Sequence, residues 1–232
     1  MKQQITFKQY KAIDIALLSI MLFAFECLAT YATINWFSLQ AVAISVTPLV
    51  MILVMMRWGW FSAIAAVVGG LAYCLAGEAS PKQYLVYCLG NLFGILSFLI
   101  VNRWGRDKVR GDWTKLVAVT VSTYLFMGIG RWLVSLIFEP AFKTLLAFIT
   151  TDIISLLVAL VGVLSLRKSD GMLEEQKSYL LRLDREAREE AEKRAEAPTY
   201  RYDDYDEDYP DDEDDLSDII DGEPNENNDE LI

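Results

Sequence analysis

Three ionisable side chains, Glu26, Arg131 and Asp152, lie far inside long apolar stretches, and a further stretch carries Asn91. Charge inside a bilayer is costly, so such residues pair with one another, face a water-filled cavity or meet a ligand. The types present suit a small polar solute. Arg131 offers a planar fork that matches a carboxylate or another planar anion. Asp152 and Glu26 accept from amine or hydroxyl groups, and Asn91 serves either kind. Counted at about 1.5 Å per residue from the ends of their stretches, Glu26 lies about 10 Å deep, Asn91 about 13 Å, Arg131 about 12 Å and Asp152 about 14 Å, all from the same face. That shared depth on four segments predicts one polar, substrate-binding pocket. Thr150 and Thr151 extend it beside Asp152, and Trp36 and Tyr84 are expected at its rim among the interfacial aromatics Tyr31, Phe37, Tyr87 and Trp132. The plainer alternative is an Arg131–Asp152 ion pair that locks two helices together, for which Glu26 and Asn91 are not needed.

Other chemistry is poorly served. The 232 residues include no histidine, which excludes His-ligated metals and Ser-His or Cys-His nucleophile pairs. Cys27, Cys74 and Cys88 stand singly in apolar runs and read as small buried hydrophobes. No phosphate-cradling loop occurs, and Gly128-Ile129-Gly130 is followed by Arg131 rather than by a catalytic aspartate. The expectation is therefore no enzyme, no metal and no cofactor. The net charge of -11 is a sum of unlike parts: +7 over 1–168, -3 over 169–198 and -15 over 199–232. No large basic surface remains for a nucleic acid, so none is expected as a partner.

The elements that must hold these residues are apolar runs near the length a bilayer requires, about 20 residues. Six can be counted, over 13–34, 37–56, 59–76, 84–101, 116–138 and 142–166. With the N-terminus in the cytoplasm, eleven Lys and Arg fall inside and only Lys82 and Lys143 outside. The expected fold is an all-α integral membrane protein: a six-helix bundle over 1–168 with both ends cytoplasmic, lodged in a bacterial cytoplasmic membrane and retaining its first span. A charged cytoplasmic helix is expected from Met172 to about Ala197, in a segment running 169–198. Charges four apart, such as Asp184/Arg188, and a short stripe of Leu173, Leu180, Leu183 and Ala187 support it. Residues 199–232 hold 16 acidic side chains and one basic, too little apolar area to offset ordering, so a disordered acidic tail is expected.

Ala12 and Ala16 form a small-xxx-small pair at the start of the first run, a spacing that lets another helix approach closely. Together with six short spans, both ends inside, and polar residues gathered in the outer half, this layout over about 9–168 resembles the substrate-binding S component of an energy-coupling-factor (ECF) transporter. The resemblance implies a vitamin or micronutrient receptor that captures a small-molecule solute from outside. It also implies docking through the Ala12/Ala16 face on a transmembrane coupling subunit driven by two ATPase subunits. Asp14, inside the small-residue pair, and the long acidic C-terminus depart from that pattern. The alternative is a non-transport membrane scaffold, similar to rod-shape-determining proteins of the MreD type.

Overall fold

A computed structural model describes residues 6–36, 43–138 and 143–196. Among them every regular element is helical and there is no strand. The helices are α1 (Phe7–Trp36), α2 (Thr47–Trp58), α3 (Ser62–Ala76), α4 (Pro81–Leu92), α5 (Ser97–Trp104), α6 (Arg106–Gly111), α7 (Trp113–Ser135), α8 (Lys143–Thr151), α9 (Ile153–Leu166) and α10 (Gln176–Glu196). Four stretches are long and apolar enough to cross a membrane: Phe7–Trp36, Thr47–Ala76, Pro81–Trp104 and Trp113–Ser135. A fifth is gained if Leu145–Thr151 and Ile153–Leu166, bent by 48° at Asp152, count as one. Among the described residues the fold is all-helical, with several helices long and apolar enough to cross a membrane.

The stretch Thr47–Ala76 is not straight. Gly59 takes φ 63°, a left-handed conformation that suits a residue without Cβ, and a short 3-10 turn over Gly59–Phe61 follows. The chain reverses there, so that Thr47 packs on Gly69, where an added Cβ would come within 2.5 Å of the threonine methyl. A straight helix would hold two residues 22 apart at about 33 Å. The two arms are therefore a hairpin, with α3 also laid along α1.

Local signals explain the other starts. Ser80 and Gln83 form a reciprocal capping box ahead of Pro81, and the Asp112 carboxylate accepts from Thr114 N–H at 2.9 Å to open α7. The Asp112 acid is held below its ordinary range, first by the hydrogen bond from the Lys115 side chain and then by that backbone N–H. Helices α4 and α7 approach until backbone meets backbone: a Cβ on Gly90 would lie 2.6 Å from the Arg131 Cα, and one on Gly130 would lie 2.6 Å from the Phe93 Cβ. The main core gathers Ile52, Met55 and Met56 of α2, Phe98 and Val101 of α5, Leu116 and Val119 of α7, and Val163 of α9.

Three expectations change. The second apolar run was expected to be helical from Phe37, but α2 begins at Thr47, and residues 43–46 are non-helical; 37–42 lie outside the described residues. Pro48 in the first turn of α2 has no N–H to give and favours starting a helix rather than continuing one. The bundle does not end at 168. Leu173 is fully buried in the main core, and the compact unit runs to Glu186. The charged helix starts at Gln176, not Met172, because 169–175 is spent on this inward turn. Ala187 opens a second unit, of which the described part is the remainder of α10. The expected tail, 199–232, lies outside the described residues.

The inward turn is tied to the basic end of the bundle. Arg57 grips the Asp14 carboxylate with two donors, at 3.0 and 2.8 Å, and donates to the Gly171 carbonyl at 3.1 Å. Gln176 donates to that same carbonyl at 2.7 Å and accepts from the Tyr10 hydroxyl at 3.1 Å. Arg110 pairs with Glu174, and Arg106 with Glu175 at 2.9 Å. Arg167 caps α6 by donating to the carbonyls of Arg110 and Gly111.

Candidate functional site

Arg131, on α7, is the centre of the buried polar cluster. Its Nη1 pairs with Asp152, its Nε donates to Asn91 Oδ1 at 2.8 Å, and its guanidinium carbon lies 4.9 Å from the centre of the Tyr87 ring. Asn91 completes its own bonding by donating to the Ala66 carbonyl at 3.3 Å. All three polar residues are buried. Asp152 sits in the break between α8 and α9, where it occupies the N-cap position, yet its carboxylate turns to Arg131 instead of capping α9. One turn upstream, the Ile149 carbonyl accepts from the Tyr124 hydroxyl.

Glu26 joins a different structure. It is fully buried on α1, and its Oε2 accepts from the backbone N–H groups of Val46 at 2.8 Å and Thr47 at 3.0 Å. It is therefore the N-terminal cap of α2, supplied from another helix. The first four N–H groups of a helix have no partner inside the helix, and an N-terminus draws negative charge. The non-helical residues 43–46 need such partners because unsatisfied backbone at this depth is costly. Ala43 N–H donates to the Thr151 carbonyl at 2.9 Å, and Ser45 N–H donates to the Ser155 hydroxyl at 2.8 Å. Two interrupted helices thus meet: the late start of α2 and the break at Asp152. Arg131 is near enough for its charge to reach Glu26, but no hydrogen bond between the two is among the described contacts.

The structure therefore brings Asn91, Arg131 and Asp152 together directly and sets Glu26 behind them through 43–47. It does not bring in Trp36, which ends α1 and is 78% exposed, as a helix-terminal belt residue would be. Tyr84 is half-buried one turn before Tyr87, and the ring over Arg131 belongs to Tyr87. Tyr87 also stacks near Tyr73, with centroids 4.5 Å apart. Thr150 and Thr151 turn their hydroxyls to the carbonyls of their own helix, so they do not extend the cluster.

A cavity of 260 Å³ opens beside this cluster, lined by Lys82, Gln83, Tyr87, Ser135, Phe138 and Phe148 among others. Tyr87 both lines it and holds its ring against the Arg131 guanidinium. A second cavity, of 540 Å³, is an apolar groove at the basic end that contains Ala12 and Ala16 with Ile15, Phe61 and Ile64. Asp14 does not enter this groove. Its carboxylate is held by Arg57 and by the Trp58 indole N–H at 2.5 Å.

Sequence reasoning missed the capping role of Glu26 and the partners Ser45 and Ser155. Pro48 was the available signal, since a proline inside an apolar run marks a helix start more readily than a helix middle. Compared with family models, with curated proteins and with solved structures, the chain matches none.

Proposed function

We propose that the chain is a membrane-embedded solute-binding subunit of the ECF S-component kind, serving uptake of a small polar solute of the vitamin or micronutrient class across a bacterial cytoplasmic membrane. The solute has a carboxylate and an amine or hydroxyl group. One observation carries this reading: Tyr87 lines the 260 Å³ cavity and covers the buried Arg131 with the same ring. A turn of that ring joins the cavity to a preformed carboxylate receptor. A solute carboxylate then takes the fork of Arg131 in exchange with Asp152, and Asp152 and Asn91 are released to receive the solute's donors.

Six crossings with both ends in the cytoplasm fit this role. The reversal at Gly59 supports counting α2 and α3 as separate arms, and the bent pair α8–α9 supplies another. The eleven-to-two bias of basic residues supports the orientation. Ala12 and Ala16, in their open groove, are the proposed face for a transmembrane coupling subunit with its two ATPase subunits.

A scaffold reading, of the MreD type, is favoured by one specific observation: Nε and Nη1 of Arg131 are already taken by Asn91 and Asp152. The two readings separate on small molecules that co-purify with the chain, and on their binding to Arg131→Leu, Asp152→Leu and the double variant. For a receptor, the double variant regains its melting temperature and still fails to bind. For a lock, melting returns and binding is as in the parent, or no solute is ever found.

A further inference from the structure

At the basic end, the apolar groove adjoins a small polar cavity of 150 Å³ lined by Phe7, Lys11, Arg57, Trp58, Arg106, Glu175 and Lys177. Lys11 lines both. Its ammonium lies 3.2 Å from the ring centre of Phe61, a groove wall, and 5.6 Å from that of Trp58, a wall of the polar cavity. We propose that cavity and groove form one site for an anionic phospholipid, with the phosphate headgroup in the cavity and an acyl chain along the groove.

Charge complementarity selects the headgroup. The cavity is walled by four cations and one carboxylate. Asp14, behind the wall, offsets Arg57, and Glu175 offsets Arg106. Lys11 and Lys177 enter no ion pair among the described residues, and Lys11 rests only against the Phe61 and Trp58 rings, so two cations without a counter-charge line one small volume. Basic pockets between helices at the cytoplasmic end of a bundle are where anionic headgroups bind.

The groove selects a lipid over a soluble anion. Its floor is the small-residue face of α1, Ala12 and Ala16 with Ile15, and its far wall is Phe61 and Ile64 beside α3. These residues belong to stretches apolar enough to lie within a membrane, so a chain continuing from the headgroup meets apolar surface at once. A free phosphate leaves 540 Å³ of groove unfilled, and a protein helix in the groove leaves the two lysines unanswered. The site is also built rather than loose. Arg57 and Trp58 are fixed by Asp14, and Arg57 is tied to Gly171. The proposal stands whether or not the chain binds a solute. In an assembled transporter, the coupling subunit displaces the acyl chain from Ala12 and Ala16.

The test is lipid retention by the purified full chain in neutral detergent, read by native mass spectrometry and melting temperature. The probes are phosphatidylglycerol, phosphatidylcholine and glycerol 3-phosphate. The parent chain is expected to retain phosphatidylglycerol over phosphatidylcholine and to melt higher with it. Lys11→Gln and Lys177→Gln are each expected to weaken that retention about five-fold, and Lys11→Arg to keep it. Ala16→Trp, which fills the groove, is expected to lower retention of phosphatidylglycerol as well. Should a glutamine variant prove unstable without lipid, Lys11→Arg and Ala16→Trp still divide headgroup from chain. Equal retention of the two lipids overturns the proposal. So does glycerol 3-phosphate raising the melting temperature as much as phosphatidylglycerol, because the cavity then serves a soluble anion. Unchanged retention in Ala16→Trp overturns it too, leaving the groove to a protein partner.

Discussion

The Arg131–Asp152 pair and the Arg182–Glu186 pair use the same two chemical groups in opposite surroundings. At mid-bundle the two side chains are 5% and 8% exposed, and the guanidinium is further held by Asn91 and Tyr87. On α10 the side chains are 43% and 56% exposed and 3.7 Å apart, so water reaches both, and Arg182 keeps Asp170 and Glu174 as further partners. Removing one partner inside leaves a charge that nothing can solvate, whereas removing Glu186 outside leaves Arg182 with water and its other carboxylates. The depth of an ion pair therefore decides whether its members are needed together or hardly at all.

The sharpest way to break that contrast is Arg131→Ala. It is expected to cost about 3–5 kcal/mol by stranding Asp152, and Arg131→Leu with Asp152→Leu should return most of it. Thermal melts of the single and double variants in one detergent check this; a double variant as unstable as the single would end the pairing account. Next comes Glu26→Ala, expected to cost about 1–3 kcal/mol because the Val46 N–H loses its acceptor in a dry site and the Thr47 N–H is left with the Ser45 hydroxyl at 3.2 Å alone. Glu26→Gln keeps an acceptor oxygen and should cost less, and amide exchange at residues 46 and 47 should quicken only in the alanine variant. Glu186→Ala is expected to shift stability by no more than about 0.5 kcal/mol, within the error of most melts, and a larger loss would show that the exposed pair is not independent.

The smallest effect concerns acid. The Asp112 carboxyl has a depressed folded-state pKa, so its contribution is present above the ordinary carboxylate range and fades as pH falls through the folded value. Asp112→Asn should therefore lose a little stability at neutral pH and show a flatter response between neutral and acidic pH. Melting curves across that range would expose an error of sign.

The helices were legible because the bilayer imposes a length and forbids stray charge; Arg131, Asp152 and Asn91 stood out for the same reason. What those residues touch was less legible. Depth counting treats each span as a straight rod, so Glu26 at a matching depth was read as a wall of the pocket. In the structure α2 starts late, and Glu26 is consumed by its exposed N–H groups. Hydropathy could not show this, since residues 43–46 are as apolar as the helix they precede. Trp36 and Tyr84 are marked in the sequence by residue type and interfacial position alone, and neither property carries direction around a helix axis. By sequence Leu173 falls in the short apolar stripe of the charged helix, with Leu180, Leu183 and Ala187. Its burial depends on Arg110 and Arg57 holding Glu174 and Gly171 on either side, a long-range arrangement that no local period encodes.

The pairing of Arg131 with Asp152 also sets a schedule for synthesis. The chain is made from its N-terminus, and Asp152 follows Arg131 by 21 residues. At about 5–20 residues per second that interval is about 1–4 s, during which the arginine is already made and its carboxylate is not. A chain that stops short of Asp152 keeps a buried cation without its counter-charge, a cost the finished copy does not carry.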